Sequence, residues 1–215
     1  MQRMHWLCAF TVCMSAAVLS CAGTRSVIVE PSVPEHIAFS EDERAMLERG
    51  LERAFAWAQA LGTPFADGTA RPLIVLQRAS ADPQTFIFAD AQRIELPQAQ
   101  VRLWGASTHA WATGLSNALI QQRLSRDREL KRRAYALLGY ELDEATGKPA
   151  LVATCTFADA RESLHPSQTF GALAAKRLRR ESDSRLPEAD PKLLDAVAQV
   201  LHGAQVPAPA ESCRF

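Results

Sequence analysis

The spacing of apolar and polar residues predicts a first helix that begins at a recognisable cap. Apolar side chains recur every three to four residues from position 47 to position 61. Ser40 and Glu43 stand before this repeat in the S-x-x-E spacing of a capping box, in which each side chain bonds the other residue's backbone amide. Gly62 and Pro64 follow the repeat and predict its end.

Short apolar runs after this helix predict a small, mainly antiparallel meander. The runs are LIVLQ at 73–77, TFIFA at 85–89, RIEL at 93–96 and VRLW at 101–104. Each run has strand length and is bounded by turn residues. A further run, ALVATCTFA at 150–158, alternates along its length and is predicted as the clearest and most central strand.

Helical spacing returns in four more segments. They are predicted from about Ser107, from about Asp127, over 169–180, and from Asp190 to Gly203, with Pro191 in the first turn of the last one. The first two are separate helices, because one continuous helix would turn charged Arg123 and Arg126 into its apolar face.

These elements predict an α+β fold, with a small mainly antiparallel sheet packed against about five helices. The strands are segregated from most of the helices and do not alternate with them, which argues against a doubly wound sheet. Residues 40–215 are predicted to form a single globular domain that ends in an extended, proline-rich tail. Residues 21–39 precede it as a tether, and SVIVE within the tether is a possible short strand.

The N-terminal run differs from everything that follows. After Arg3, the residues up to Ser20 carry no Asp, Glu, Lys or Arg and are mostly apolar. This arrangement is typical of a secretory signal peptide, predicted over residues 1–20. The alternative is an uncleaved anchor helix, for which the run is short and is interrupted by polar residues.

The end of this run is Val18-Leu19-Ser20-Cys21. It resembles the lipobox of bacterial lipoproteins, with an aliphatic residue three positions before the cysteine and a small residue directly before it. The resemblance implies cleavage before Cys21, a diacylglycerol on its thiol and an acyl chain such as palmitate on the new amine. Two or three chains hold a protein on a bilayer where one would not. By the same resemblance, Ala22 directly after the cysteine implies sorting to the outer membrane, facing the periplasm.

Charge and cysteine usage narrow the function classes. The full chain has 24 basic and 24 acidic side chains, and Arg3 is the one charged residue of the signal, so 23 face 24 in the mature part and the formal charge is −1. This charge balance gives no overall positive field that would attract nucleic acid.

After Cys21 two cysteines remain, Cys155 and Cys213. An even pair in an oxidising compartment predicts a disulfide, worth about 4 kcal/mol in the chain-entropy model. A metal or redox pair is the alternative, and the wide spacing of the two cysteines disfavours it.

His109 is the first candidate for chemistry. It lies near the start of a predicted helix, in THAWATG. A zinc peptidase helix would read HExxH, whereas Ala110 and Thr113 occupy the positions of the base and the second ligand. A histidine bonded to backbone or water at the helix start is the plainer interpretation.

The second candidate is the loop DARESLHP. It holds Asp159, Arg161, Glu162, Ser163 and His165, a composition that includes nucleophile, base and acid types. Sequence proximity alone does not bring such groups into contact, and no G-x-S-x-G elbow presents a serine. An ordinary solvated loop with an ion pair is the alternative.

Two further features have structural explanations. The basic runs at 123–133 and 176–180 are either exposed helix faces with interspersed acids or contacts for anionic headgroups. The aromatic residues either line a ligand cleft or pack in the core, and packing is the simpler account. They are Phe55, Trp57, Phe86, Phe88, Trp104 and Trp111.

The sequence favours a non-enzymatic envelope lipoprotein, bound to the bilayer through Cys21 and to a protein or another envelope component. It predicts no cofactor, no metal site, no catalytic residue and no nucleic-acid partner. One alternative is an envelope hydrolase that uses His109 or the loop from Asp159 to His165. The other is a periplasmic inhibitor or immunity protein that blocks a partner's active site.

Overall fold

The computed structural model describes residues 27–28, 38–60, 73–78, 87–90, 93–153, 165–179 and 191–205. Within these ranges the chain forms β1 (Val27–Ile28), α1 (Glu41–Ala60), β2 (Leu73–Arg78), β3 (Phe88–Ala89), β4 (Arg93–Pro97), α2 (Gln98–Trp104), α3 (Thr108–Arg126), α4 (Arg128–Leu137), β5 (Tyr140–Leu142), β6 (Pro149–Leu151), α5 (Pro166–Arg179) and α6 (Pro191–Leu201). The predicted α+β class is confirmed.

The strands form two sheets, and their directions differ in part from the prediction. A four-stranded sheet has the order β1-β2-β4-β3, and β5 pairs with β6 in a separate hairpin. The β3–β4 and β5–β6 pairs are antiparallel, as expected. The β1–β2 and β2–β4 pairs are parallel, so the meander was wrong. Parallel pairing needs a long crossover, and the connection from β2 to β4, which contains β3, supplies one.

Three of the predicted helix starts are confirmed by their caps, whereas the helix predicted from Thr169 begins earlier, at Pro166. Ser40 and Glu43 form the reciprocal capping box of α1, with N···O distances of 2.8 Å and 3.2 Å. Ser107 caps α3 by accepting from the Ala110 amide at 3.3 Å, and Asp127 caps α4 by accepting from the Leu130 amide at 2.9 Å. These side chains satisfy amides that the first helical turn leaves free.

The VRLW run at 101–104 belongs to a helix, and its prediction as a strand was wrong. Val101 and Trp104 are buried, whereas Leu103 is 78% exposed. In a strand Val101 and Leu103 would share a face, but burial here recurs after three residues, the period of a helix. Pro97 stands at the cap position of α2, where its missing amide hydrogen costs nothing.

The run at 150–158 was also misjudged. Its described part contributes only the end of β6, and Leu151 and Val152 are about half exposed. The strand therefore lies in a peripheral two-stranded hairpin and not at the centre of a sheet. An alternating apolar run predicts a strand but does not fix which sheet it joins.

Helix α3 lies at the centre of the packed helices, and its two halves contribute to two hydrophobic clusters. Its N-terminal half packs with α1, α2 and β4, around Trp104 and Trp111. Its C-terminal half packs with α4, α5 and α6, around Tyr135 and Phe170. Close approach depends on glycine: a Cβ on Gly114 would lie 1.9 Å from the Trp104 ring, and one on Gly171 would lie 2.1 Å from the Asn117 side-chain oxygen. Gly203, with φ +90°, ends α6 as predicted.

Candidate functional site

Several sequence-predicted site residues lie outside the described residues. They are the lipid-site Cys21, the predicted disulfide pair Cys155 and Cys213, and four loop residues, Asp159, Arg161, Glu162 and Ser163. The lipid site and the disulfide therefore stay predictions. Of the histidines proposed for chemistry, His109 and His165 are both described.

His109 is an exposed residue in the first turn of α3. Its imidazole stacks on the indole of Trp57 from α1, with ring centroids 6.0 Å apart and planes 29° apart. The hydroxyl of Thr113, one turn later, donates to the His109 carbonyl oxygen at 2.8 Å. The Arg179 guanidinium donates to that same hydroxyl at 2.6 Å and links α5 to α3. These contacts account for His109 as a surface ring between two helices.

His165 has a different role, because it is the residue directly before α5. Its carbonyl oxygen accepts from the amides of Gln168 and Thr169, at 2.9 Å and 3.1 Å. The Gln168 side chain accepts in return from the His165 amide at 3.3 Å. Pro166 stands at the first helical position, where it is favoured. His165 is thus the N-cap of α5, in a capping box closed by Gln168.

Ser167 is brought against the imidazole by this cap. Its hydroxyl oxygen lies 2.7 Å from His165 Nδ1, and its backbone amide lies 3.4 Å from the same nitrogen. An amide can only donate, so we assign a lone pair to Nδ1, the ring proton to Nε2 and the donor role to the Ser167 hydroxyl. A serine hydroxyl that donates to a neutral imidazole is the first contact of serine nucleophile chemistry.

Two side chains of α4 complete the surroundings of this pair. The Tyr135 ring meets the His165 ring edge to face, with centroids 6.1 Å apart. Lys131, one turn earlier, holds its ammonium 5.5 Å from the centre of the Tyr135 ring. We name Lys131, Tyr135, His165 and Ser167 the α4–α5 cluster. It joins one cation, one phenol, one imidazole and one aliphatic hydroxyl.

Both titratable rings of the α4–α5 cluster are held in their neutral forms. Burial lowers the pKa of His165, and the positive charge of Lys131 lowers this pKa further. Burial also raises the pKa of Tyr135 to about 12, and an interaction with the Ser167 side chain offsets part of the rise. The Tyr135 hydroxyl is buried near the Ser167 hydroxyl. It makes no hydrogen bond of normal geometry to any residue in the described ranges.

The basic runs largely form local pairs in the described helices. Arg132 and Arg133 both contact the Glu129 carboxylate, at 2.8 Å and 3.4 Å. Arg177 pairs with Asp195 of α6 at 3.2 Å. The exposed Arg132–Glu129 pair agrees with the interpretation of the first run as a solvated helix face, whereas in α5 Lys176 is buried and Arg177 is only partly exposed, so the second run is not such a face. The exposed pairs contribute little to stability.

The described aromatic side chains mostly pack. Trp104 and Trp111 are buried edge to face, with ring centroids 5.1 Å apart, and the Trp111 indole donates to the Gly105 carbonyl oxygen at 3.0 Å. Core packing is therefore confirmed for these two. Phe88 is about half exposed, and Phe86 lies outside the described residues.

No three or more His, Cys, Asp or Glu side chains in the described ranges are grouped so that they could hold a metal ion. No described helix combines the length and the apolar character needed to cross a membrane.

Sequence reasoning identified His165 but not the residues it contacts. Ser163, the serine considered with it, lies outside the described residues, and Ser167 is the hydroxyl at hydrogen-bond distance. The signal was present as His-Pro-Ser-Gln, in which Pro at the first helical position and Gln two residues later mark the preceding residue as a cap. Tyr135 and Lys131 come from another helix, and their proximity depends on how α4 packs against α5.

No protein-family model matches this sequence, and neither a curated protein nor a solved structure does.

Proposed function

We propose that this chain is a bacterial envelope lipoprotein, anchored through Cys21 to the outer membrane and facing the periplasm, that binds an envelope protein as an accessory factor. The observation that carries the proposal is Val18-Leu19-Ser20-Cys21 at the end of a charge-free apolar run. A thiol at this position is the attachment point that the lipobox resemblance implies.

The position of β1 supports a body held close to the bilayer. Val27 is six positions after Cys21 and pairs with Leu73 at the edge of the four-stranded sheet. Six extended residues reach about 20 Å. A lipid on Cys21 would therefore keep this sheet edge within about 20 Å of the headgroups, so that a partner would meet the protein next to the membrane.

The charge arrangement favours a protein partner over a polyanion. Some described basic side chains of α4 and α5 pair with carboxylates: Arg132 and Arg133 contact Glu129, and Arg177 contacts Asp195. A surface of interspersed charge lacks the unbalanced positive field that recruits nucleic acid or strongly anionic polymers.

The lipid is tested by metabolic labelling of the full chain in a bacterial host with radioactive palmitate. Wild-type protein is expected to be labelled and to sediment with membranes, and Cys21→Ser is expected to lose both properties. Cys13→Ser is the matched control, since it removes another cysteine of the same segment and should keep the label. Unlabelled wild-type protein, or label retained in Cys21→Ser, contradicts the anchor.

The partner is tested by crosslinking and affinity capture from detergent-solubilised envelopes. A stoichiometric envelope protein, captured with wild type and lost with Cys21→Ser, supports the accessory role. If the captured protein is an enzyme that the chain inactivates, the result supports the inhibitor alternative and contradicts the accessory role. Absence of any stoichiometric partner contradicts the binding role.

One contact favours a second candidate function, an envelope hydrolase. It is the 2.7 Å contact between the Ser167 hydroxyl oxygen and His165 Nδ1. Turnover of simple esters by the purified full chain tests this candidate, and absence of turnover above that of the heat-denatured protein contradicts it.

A further inference from the structure

We propose that Ser167 is the nucleophile and His165 the general base of a site that hydrolyses carboxylic esters. The inference rests on the second candidate function, hydrolysis, and names the residues and the substrate class. It assigns the α4–α5 cluster a role beyond capping α5.

The pair meets the first requirement of a nucleophile and base, which is contact. The Ser167 oxygen and His165 Nδ1 are 2.7 Å apart, within the range expected for such a pair. The capping box fixes the backbone of both residues, so the contact is preorganised and needs no movement to form. His165 packs its ring partly against α4 but keeps exposed surface, and Ser167 is partly exposed, so a substrate carbonyl can approach from solvent.

The imidazole is available as a base. Nδ1 carries the lone pair in the geometry above, and burial together with the Lys131 charge lowers the pKa of His165, which keeps the ring neutral at neutral pH. A protonated imidazole could not accept the serine proton.

The surroundings of Ser167 stabilise negative charge on its oxygen. Ser167 lies in the first turn of α5, at the positive end of the helix dipole. The Tyr135 side chain is fully buried and has a hydroxyl without a hydrogen-bond partner in the described ranges, beside the Ser167 side chain. A buried donor of this kind can bond to the Ser167 oxygen as its proton moves to His165, and Tyr135 therefore acts as a positioning residue for the serine hydroxyl.

The reaction balances without another reagent. As the Ser167 oxygen bonds to the ester carbonyl carbon, its proton moves to His165 Nδ1. The bond from that carbon to the alcohol oxygen then breaks, and the leaving alcohol takes the proton from Nδ1. Water attacks the acyl-serine, gives one proton to Nδ1 and releases the acid, and the proton returns to Ser167. Ester and water become acid and alcohol.

The chemistry favours esters over amides, and esters with a negative group. An alcohol leaves with less help from an acid than an amine does, and His165 is the acid at hand. Lys131 carries a positive charge that acts on His165, so it would attract an anionic group of the substrate. We infer a carboxylic ester with an anionic group near the carbonyl.

The test is modification of the folded full chain by a fluorophosphonate, which reacts with activated serines. Two other serines at helix starts serve as an internal comparison, since Ser40 and Ser107 cap α1 and α3 without an imidazole on the hydroxyl. Peptide mapping by mass spectrometry is expected to find Ser167 modified at least about 100-fold faster than Ser40 or Ser107, the contribution expected from a general base.

Two variants separate chemistry from capping. Ser167→Ala removes the nucleophile and is expected to abolish modification at this position and ester turnover. His165→Asn keeps a good N-cap but has no base, so it should keep its circular dichroism spectrum and lose at least about 100-fold in modification rate. In wild type the rate should fall as the pH drops and His165 becomes protonated.

Each contrary result has a defined meaning. If Ser167 reacts no faster than Ser40 and Ser107, or if folded His165→Asn reacts as fast as wild type, the assignment is overturned. If Ser167→Ala keeps full ester turnover, the chain is a hydrolase that uses other residues, so this inference fails while the second candidate function stands. Neither result bears on the lipid at Cys21.

Discussion

The first turns of α3 and α5 use the same two residue types in opposite order. In α3 a serine, Ser107, is the N-cap, and His109 follows two positions later. In α5 the histidine, His165, is the N-cap, and Ser167 follows two positions later. The cap must accept from the free amides, so the imidazole at that position is held with a lone pair toward the helix. At the other position the same ring is free to stack on Trp57.

The comparison shows that position relative to the cap, and not residue type, determines what a helix-start histidine does. His109 attracted attention from its sequence but contacts no base or carboxylate that the structure describes. His165 contacts Ser167 because both residues belong to one turn, and the capping box fixes the backbone of that turn. Substitutions deep in the same two helices, and then at their starts, test this difference.

The largest expected effect comes from the glycines of these helices. In Gly114→Ala the new methyl group would overlap the buried ring of Trp104, which cannot turn away. We expect a loss of about 2 kcal/mol in the free energy of unfolding, because overpacking outweighs the helix preference of alanine. In Gly171→Ala the methyl group would meet the Asn117 side chain, which accepts from Gln121, and the Asn117 backbone oxygen at 3.1 Å, so we expect a smaller loss of about 1 kcal/mol. Urea denaturation measures the free energy of unfolding of both variants. Equal losses would contradict the expectation that Gly114 is packed more tightly than Gly171.

The caps give the next effect. His165→Ala removes the acceptor side chain at the start of α5 and should cost about 1 kcal/mol. His109→Ala removes an exposed ring that caps nothing and should change stability by less than about 0.5 kcal/mol. Thermal unfolding of the two variants under one condition provides the measurement. A larger loss for His109→Ala would reverse the roles assigned to the two histidines.

The buried phenol gives an effect of opposite sign. Tyr135→Phe removes a hydroxyl that is buried without a described hydrogen-bond partner, and the ring keeps its contacts with His165. We expect the free energy of unfolding to rise by up to about 1 kcal/mol, since an unpaired buried donor is unfavourable. If Tyr135 assists Ser167, the same variant should also react more slowly with the fluorophosphonate. A stability loss in denaturant would mean that the hydroxyl has a partner.

The smallest effect is the pH dependence of α5. The pKa of His165 is lower in the folded protein than its usual value of about 6.5, so folding favours the neutral ring. This contribution is complete above about pH 6.5, declines as the pH falls, and is lost below the folded pKa. We therefore expect the melting temperature of wild type to drop more between pH 7.5 and pH 5 than that of His165→Asn. Equal drops in melting temperature would show that protonation of the His165 imidazole does not affect stability. Burial raises the pKa of Tyr135 to about 12, so this phenol stays neutral over the range and does not account for a difference.

The parts of the fold that the sequence predicted are those governed by local chemistry. Ser40, Ser107 and Asp127 were recognisable as helix starts because a cap acts within three residues of the chain. Strand direction was not predictable in this way, because the parallel pairing of β2 with β4 depends on the route of the chain between them. The VRLW segment was not recognised as helical, because four residues are too few to distinguish the helical period of about 3.6 residues from the strand period of two. The exposure of Leu103 distinguishes them, and it is known only from the structure.

The candidate site divides along the same line. The His-Pro-Ser-Gln sequence contains the capping box and the serine contact, so this half was within reach of sequence analysis. The other half is the approach of Tyr135 and Lys131 from α4, which follows from packing between helices that are separated in the chain. Residues that share a turn can be paired from sequence, and residues that share only a tertiary contact cannot.

The most direct test of the central claim is the tautomer of His165. Nitrogen NMR of protein labelled at histidine, with the signal assigned by its absence in His165→Asn, distinguishes a protonated ring nitrogen from one with a lone pair. At pH 7.5 we predict a proton on Nε2 and none on Nδ1, the state in which Nδ1 accepts the Ser167 hydroxyl. A proton on Nδ1 would contradict both the cap and the nucleophile built on it.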